Sequence, residues 1–116
     1  MDQATLDRLR DRLEQERKDL VVQLEDIGIS PETGAPKDVA FDHGFADSGQ
    51  ATAEKARLLS VAEALLETLH EVDAALKRIG SDRFGKCESC GADIPAERLE
   101  ARPHARLCVS CAQRAR

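Results

Sequence analysis

The sequence predicts a mainly α-helical protein, an antiparallel two-helix coiled-coil hairpin with a small C-terminal module built on four cysteines. Three observations carry this reading. The chain has 116 residues with no Trp, no Tyr and only three Phe, and its apolar content is mostly Leu, Ala, Val and Ile. That composition suits helix–helix packing better than a β-sandwich or barrel. Two stretches place apolar residues at helical spacing over equal lengths, and the four cysteines stand as two close pairs near the end of the chain.

The first helix is capped by Asp2 or Thr5. Its apolar face is Leu6, Leu9, Leu13, Leu20, Leu24 and Ile27. Glu16 falls on a seam position, and Gly28 ends the pattern. The second helix is more regular. Leu58, Ala62, Leu65, Leu69, Val72, Leu76 and Ile79 advance by alternating steps of four and three. That is the repeat of a coiled-coil seam. Gly80 is placed as its C-terminal cap. Both seams run 21 residues, Leu6 to Ile27 and Leu58 to Ile79. At the helical rise each is about 31 Å long. Folded back, Ile27 meets Leu58 and Leu6 meets Ile79. The competing arrangement pairs each helix with another chain.

Residues 28–57 lie outside the seams and are too many for a bare turn. Residues 28–46 read as an irregular tip loop, and 47–57 as the polar start of the second helix. Between Glu25 and Glu54 there are seven acids and one base, and the stretch holds Phe41 and Phe45. An acidic tip with two aromatics fits a surface that touches a partner. The same two rings also suit covering the end of the seam. The domain reading is therefore a hairpin over 1–79, with its tip at about 28–57, and a module over 80–116.

The module's cysteines are Cys87 and Cys90, then Cys108 and Cys111, with 17 residues between the pairs. Two C-x-x-C turns at this separation fit one zinc ion, because each turn aims two sulfurs at one point and two turns complete a tetrahedron. Gly91 permits the tight first turn. Four thiolates leave no position for water, so the site reads as structural. A redox dithiol is disfavoured because no βαβ pattern surrounds either pair. Pro95 opens a short helix that runs through Ala101, Pro103 ends it, and another short helix starts at Val109. A segment this small needs the metal for much of its folding energy.

The net charge is −5, divided as −7 over residues 1–79 and +2 over 80–116. Thiolates around zinc would cancel the second figure, so no strongly basic nucleic-acid face emerges. No apolar run is long enough to span a membrane, and the charged N-terminus is unlike a signal peptide. The expected location is the cytoplasm, where thiols stay reduced. No catalytic constellation appears at meaningful spacing, so no enzyme is expected.

The stretch from Phe84 to Cys111 resembles the DksA/TraR family of bacterial RNA polymerase-binding proteins. The residues that carry the resemblance are Phe84, Gly85, Cys87, Cys90, Gly91, Ile94, Arg98, Leu99, Ala101, Pro103, Ala105, Cys108 and Cys111. The preceding hairpin also suits the family's layout. The resemblance implies a hairpin inserted into the secondary channel of RNA polymerase, with an acidic tip near the catalytic region and the zinc module on the outer rim. It implies an effect on transcription initiation without catalysis. In the family register the second tip aspartate falls on Asp47, the first on Gly44 and the tip alanine on Gly49. Asp42 is a substitute for the first only if the loop rearranges. Asp47, with Gln50 three residues on, also reads as an N-cap. Arg98 and Arg102 are candidate rim contacts, although each alone reads more readily as solvated. Several family members bind ppGpp through basic residues where this chain has Ala64, Glu71 and Ala112, so ppGpp is not expected to bind through these residues. His43, His70 and His104 are scattered, and none is needed as a ligand. Two other readings compete: a coiled-coil adapter and a sequence-specific DNA-binding zinc protein. The acidic hairpin disfavours the latter.

Overall fold

The computed structural model describes residues 1–36 and 49–115. Helix α1 spans Gln3–Asp26 and α2 spans Gly49–Arg78. Two short helices follow, α3 at Ala96–Ala101 and α4 at Val109–Arg114. Among the described residues no strand forms, only isolated bridges between Ile29 and Pro36 and between Lys86 and Asp93. The fold is thus the helical hairpin with a small four-cysteine module. No described helix is long and apolar enough to cross a membrane.

The chain forms two compact units. One comprises Met1–Arg17 and Glu71–Arg116, and the other Lys18–His70. In the second, Leu20, Leu24, Ile29, Ala62 and Leu69 are buried. Leu58 and Leu65, expected in the seam, are half-buried there. Residue Ile29 is fully buried, although the sequence reading placed it in an irregular loop. The reason is the way α1 ends. Gly28 takes φ 79°, a left-handed conformation that costs glycine little. Its amide donates to the carbonyl of Glu25 at 3.0 Å, and the Ile29 amide donates to that of Leu24 at 2.9 Å. These are the two hydrogen bonds of a Schellman cap, whose usual hydrophobic closure pairs the residues that Ile29 and Leu24 occupy here. The chain then turns tightly. The Ser30 amide donates to the Ala35 carbonyl and the Gly34 amide to the Ser30 carbonyl, each at 2.8 Å. Residues 28–36 are therefore an ordered turn. The tip residues Phe41, Asp42, Phe45 and Asp47 lie outside the described residues, and so does the proposed cap at Asp47.

In the first unit α1 begins at an Asp2 cap. The Asp2 Oδ1 accepts the Thr5 amide at 2.8 Å, and the Thr5 side chain together with that amide holds its carboxyl below the usual carboxylate range. Leu9 and Leu13 from α1 are buried, together with Val72, Ala75 and Ile79 from α2. Ala75 was not expected in the core, whereas Leu76 was and is only half-buried. A two-helix seam would bury one stripe at 3.5-residue spacing. Here Phe84, Ile94, Leu99 and Ala105 of the module are buried in the same unit, and a helix packed on more than one side buries a broader face. At the end of α2, Gly80 does not take a positive φ. Ser81 caps instead, its amide and hydroxyl both donating to the Arg78 carbonyl at 2.8 Å.

Two substitutions on one face-and-back of α1 test this packing. Leu24→Ala removes a fully buried side chain and should cost about 2–5 kcal/mol in urea unfolding. Val22→Ala, at a residue 54% exposed, should change stability by no more than about 0.5 kcal/mol.

Candidate metal centre

Each C-x-x-C pair is shaped by its own backbone hydrogen bonds. In the first, the Cys87 amide donates to the Ala92 carbonyl at 2.8 Å, and the Gly91 amide returns to the Cys87 carbonyl at 2.9 Å. Gly91 makes that return at φ 76°, as the tight turn requires. The second pair uses a helix start. Cys108 is extended and caps α4, and the Ala112 amide donates to its carbonyl at 2.9 Å. One helical turn later Cys111 faces the same point. The two halves are stitched by the Glu88 amide, which donates to the Arg106 carbonyl at 2.9 Å. The Glu88 carboxylate lies 3.3 Å from Arg78 and 3.8 Å from Arg106, joining the first pair to the end of α2.

All four Sγ atoms lie within 4.8 Å of one another. Cys90 and Cys108 are 3.8 Å apart, about the edge of a tetrahedron whose zinc–sulfur bonds are about 2.3 Å. Cys87 and Cys111 are buried, Cys108 is half-buried and Cys90 exposed. The thiols differ in acidity for local reasons. Amides of Cys108 and Cys90 donate to the Cys87 sulfur and push it down to about 6. The Cys111 amide lowers Cys108 in the same way. Cys111 is pushed up to about 11 by the neighbouring sulfurs of Cys108 and Cys87 and by burial. Sulfurs this close resist becoming anions together unless a cation stands among them. The donor set therefore fits one structural Zn²⁺, with no open position for chemistry.

The other expected site residues are distributed unevenly. Arg98 is not simply solvated. It is half-buried, and its Nε donates to the Leu107 carbonyl at 2.9 Å, just before Cys108. Arg102 is exposed, with Nε 3.3 Å from His104 Nε2. Gly49 is the first residue of α2. Asp42 and Asp47 fall outside the described residues. Sequence reasoning missed His104, which is buried and flanked by Glu16 and Glu71. The signal available was Glu16 itself, a charge on an otherwise apolar seam. Arg8 pairs with the Glu100 carboxylate and Arg12 with its carbonyl, which brings α3 against α1.

Residues 82–116 match the prokaryotic DksA/TraR C4-type zinc finger. An uncharacterized protein of Aquifex aeolicus is 35% identical over 85 residues, 73% of this chain and 54% of that one. The RNA polymerase-binding transcription factor DksA of Haemophilus influenzae is 46% identical over 43 residues, 37% of this chain and 30% of that protein. That of Escherichia coli K12 matches equally over 28% of its length. The chain thus spans about half or less of these curated relatives. The solved structure of transcription factor DksA2 from Pseudomonas aeruginosa superposes with a TM-score of 0.71 at 29% identity, covering 99% of this chain and 85% of that one.

Zinc retention should depend on pH with a definite sign. Metal binding keeps the sulfurs as thiolates, so proton uptake opposes it. Cys111 gives up a proton on binding even at neutral pH, and below about 6 Cys87 takes one up as well. Zinc released to a chromogenic chelator should rise as pH falls, most steeply below that value. Cys87→Ser should release zinc at neutral pH. The finger match, the four clustered sulfurs and the near full-length likeness to DksA2 agree, and the chain carries a DksA/TraR C4-type zinc finger over residues 82–116.

Proposed function

We propose that this chain is a bacterial transcription regulator that binds RNA polymerase through its secondary channel and modulates initiation without catalysing a reaction. The observation that carries the reading is the pairing of the family zinc finger with a helical hairpin that matches transcription factor DksA2 over nearly the whole chain. Relatives that share the finger are named for polymerase binding. A closed four-thiolate site supports a scaffold role, because it offers no vacant coordination position.

Three elements divide the work. The zinc finger holds the ends of α1 and α2 and faces the polymerase rim. Arg102, exposed, is the better rim contact of the two arginines, because Arg98 is engaged with the Leu107 carbonyl. The acidic segment carries charge toward the polymerase active region, with Asp47 as the acting carboxylate. At the ppGpp positions of the resemblance, Ala64 and Ala112 offer no charge, and the Glu71 carboxylate stands 3.6 Å from His104. A carboxylate there opposes a polyphosphate. Any dependence on ppGpp then comes from polymerase itself.

The test is co-sedimentation with purified bacterial RNA polymerase, with a second secondary-channel factor as competitor. Binding that the competitor displaces is expected. Failure to bind, or tight salt-sensitive binding to bare duplex DNA instead, contradicts the proposal. Asp47→Asn should leave polymerase binding within about twofold, the scatter of a surface substitution, and should abolish the change in open-complex lifetime.

A further inference from the structure

Four thiolates around one Zn²⁺ carry more negative charge than the ion cancels. Hydrogen-bond donors and cations beside the sulfurs spread that surplus and keep the ligands in place. Backbone amides donate to the Cys87 and Cys108 sulfurs. The buried Cys111 sulfur receives a donor of another kind: Arg114 Nη2 donates to its Sγ at 3.8 Å. Helical spacing brings the two together. Arg114 follows Cys111 by three residues on α4, so both side chains share one face. Its Nε donates to the Ser110 carbonyl at 3.5 Å, a usual tie for an arginine at a helix end. Two donors held at once orient the planar guanidinium. Other arginines near the finger are committed differently, Arg78 and Arg106 to Glu88 and Arg98 to the Leu107 carbonyl. Among the described residues the partners of Arg114 are a carbonyl and a sulfur, not a carboxylate. Its charge is therefore left to act on the sulfur. Cys111 and Arg114 also line one cleft, together with Ser89, Leu107 and Ala115.

We propose that Arg114 is a charge clamp on the zinc centre: its guanidinium holds the Cys111 sulfur as a metal-bound thiolate and slows loss of the ion through the cleft on that side. Arg114 is a positioning residue and not a ligand, because a guanidinium has donors only. Its bond to a thiolate is charge-assisted and so stronger than a neutral one. Zinc leaves only after a sulfur lets go, and the cleft is where water or a competing chelator meets Cys111. Arg114 stabilises the bound state and stands in that path. The sulfur is buried, but the guanidinium is on an exposed residue, so dissolved salt weakens the clamp. This inference rests on the zinc centre and not on the proposed polymerase partner.

The experiment measures zinc affinity of the zinc-loaded full chain by competition with a chromogenic chelator at neutral pH. It is run at about 0.1 M and about 1 M salt, where charges reach about 10 Å and about 3 Å. At the lower salt Arg114→Gln should bind zinc about tenfold more weakly, the smaller end of what losing a ligand's supporting partner costs. Arg114→Lys restores the charge and should recover most of that loss, which a merely structural role would not show. The gap between wild type and Arg114→Gln should narrow at the higher salt. Gln113→Ala, at the exposed neighbour, should match wild type throughout. Equal affinities of wild type and Arg114→Gln at the lower salt would overturn the clamp. So would an Arg114→Lys as weak as Arg114→Gln, or a gap that salt leaves unchanged. A wild-type chain that retains no zinc would overturn the metal centre itself, and the clamp with it.

Discussion

Four sulfurs held within 4.8 Å of one another are a demand for a cation. Without one, backbone amides of Cys108 and Cys90 hold Cys87 down while the neighbouring sulfurs of Cys108 and Cys87 drive Cys111 up, so the four do not ionise together. With one, all four can be thiolates and the conflict disappears. The finger depends on that resolution. It contains two helices of six residues each, too short to be stable alone. Its buried apolar side chains are few, Phe84, Ile94, Leu99, Pro103 and Ala105 besides the cysteines. Closing the metal site fixes both C-x-x-C turns and so fixes the surface that meets α1 and α2.

The helices in turn give the finger its footing. Leu9, Leu13, Val72, Ala75 and Ile79 are buried in the same compact unit as the finger. Polar contacts follow the same pattern. Arg8 and Arg12 meet Glu100, and Glu88 meets Arg78. These pairs are largely exposed and set orientation more than they add stability. Among the described residues the buried polar side chain is His104, flanked by Glu16 and Glu71, where the seam of α1 carries Glu16 in place of a leucine.

The fold was legible because its signals are local. A C-x-x-C spacing is a statement about one turn, and the alternating steps from Leu58 to Ile79 are a statement about one helix face. Pro95 and Pro103 bracketed α3 for the same reason. What escaped was set by packing from a distance. Ala75 is buried because the module broadens the face that α2 hides, which no two-helix repeat encodes. Ile29 is buried because Gly28 closes a Schellman cap, although the glycine itself had been read correctly as the stop. Gly80 looked equivalent to Gly28, but Ser81 supplied the capping bonds. Likewise, Glu16 read as a flaw in a heptad until the fold brought His104 to it across 88 residues of chain. At the candidate site, the sulfur cluster was readable in full, whereas the role of Arg98 was not, since its partner is a backbone carbonyl.

Zinc K-edge X-ray absorption on the purified chain examines the foundation of this account most directly. The account predicts one zinc per chain in a shell of four sulfurs at about 2.3 Å with no oxygen or nitrogen neighbour. A mixed shell, a two-sulfur shell or a chain that folds identically without metal would contradict it.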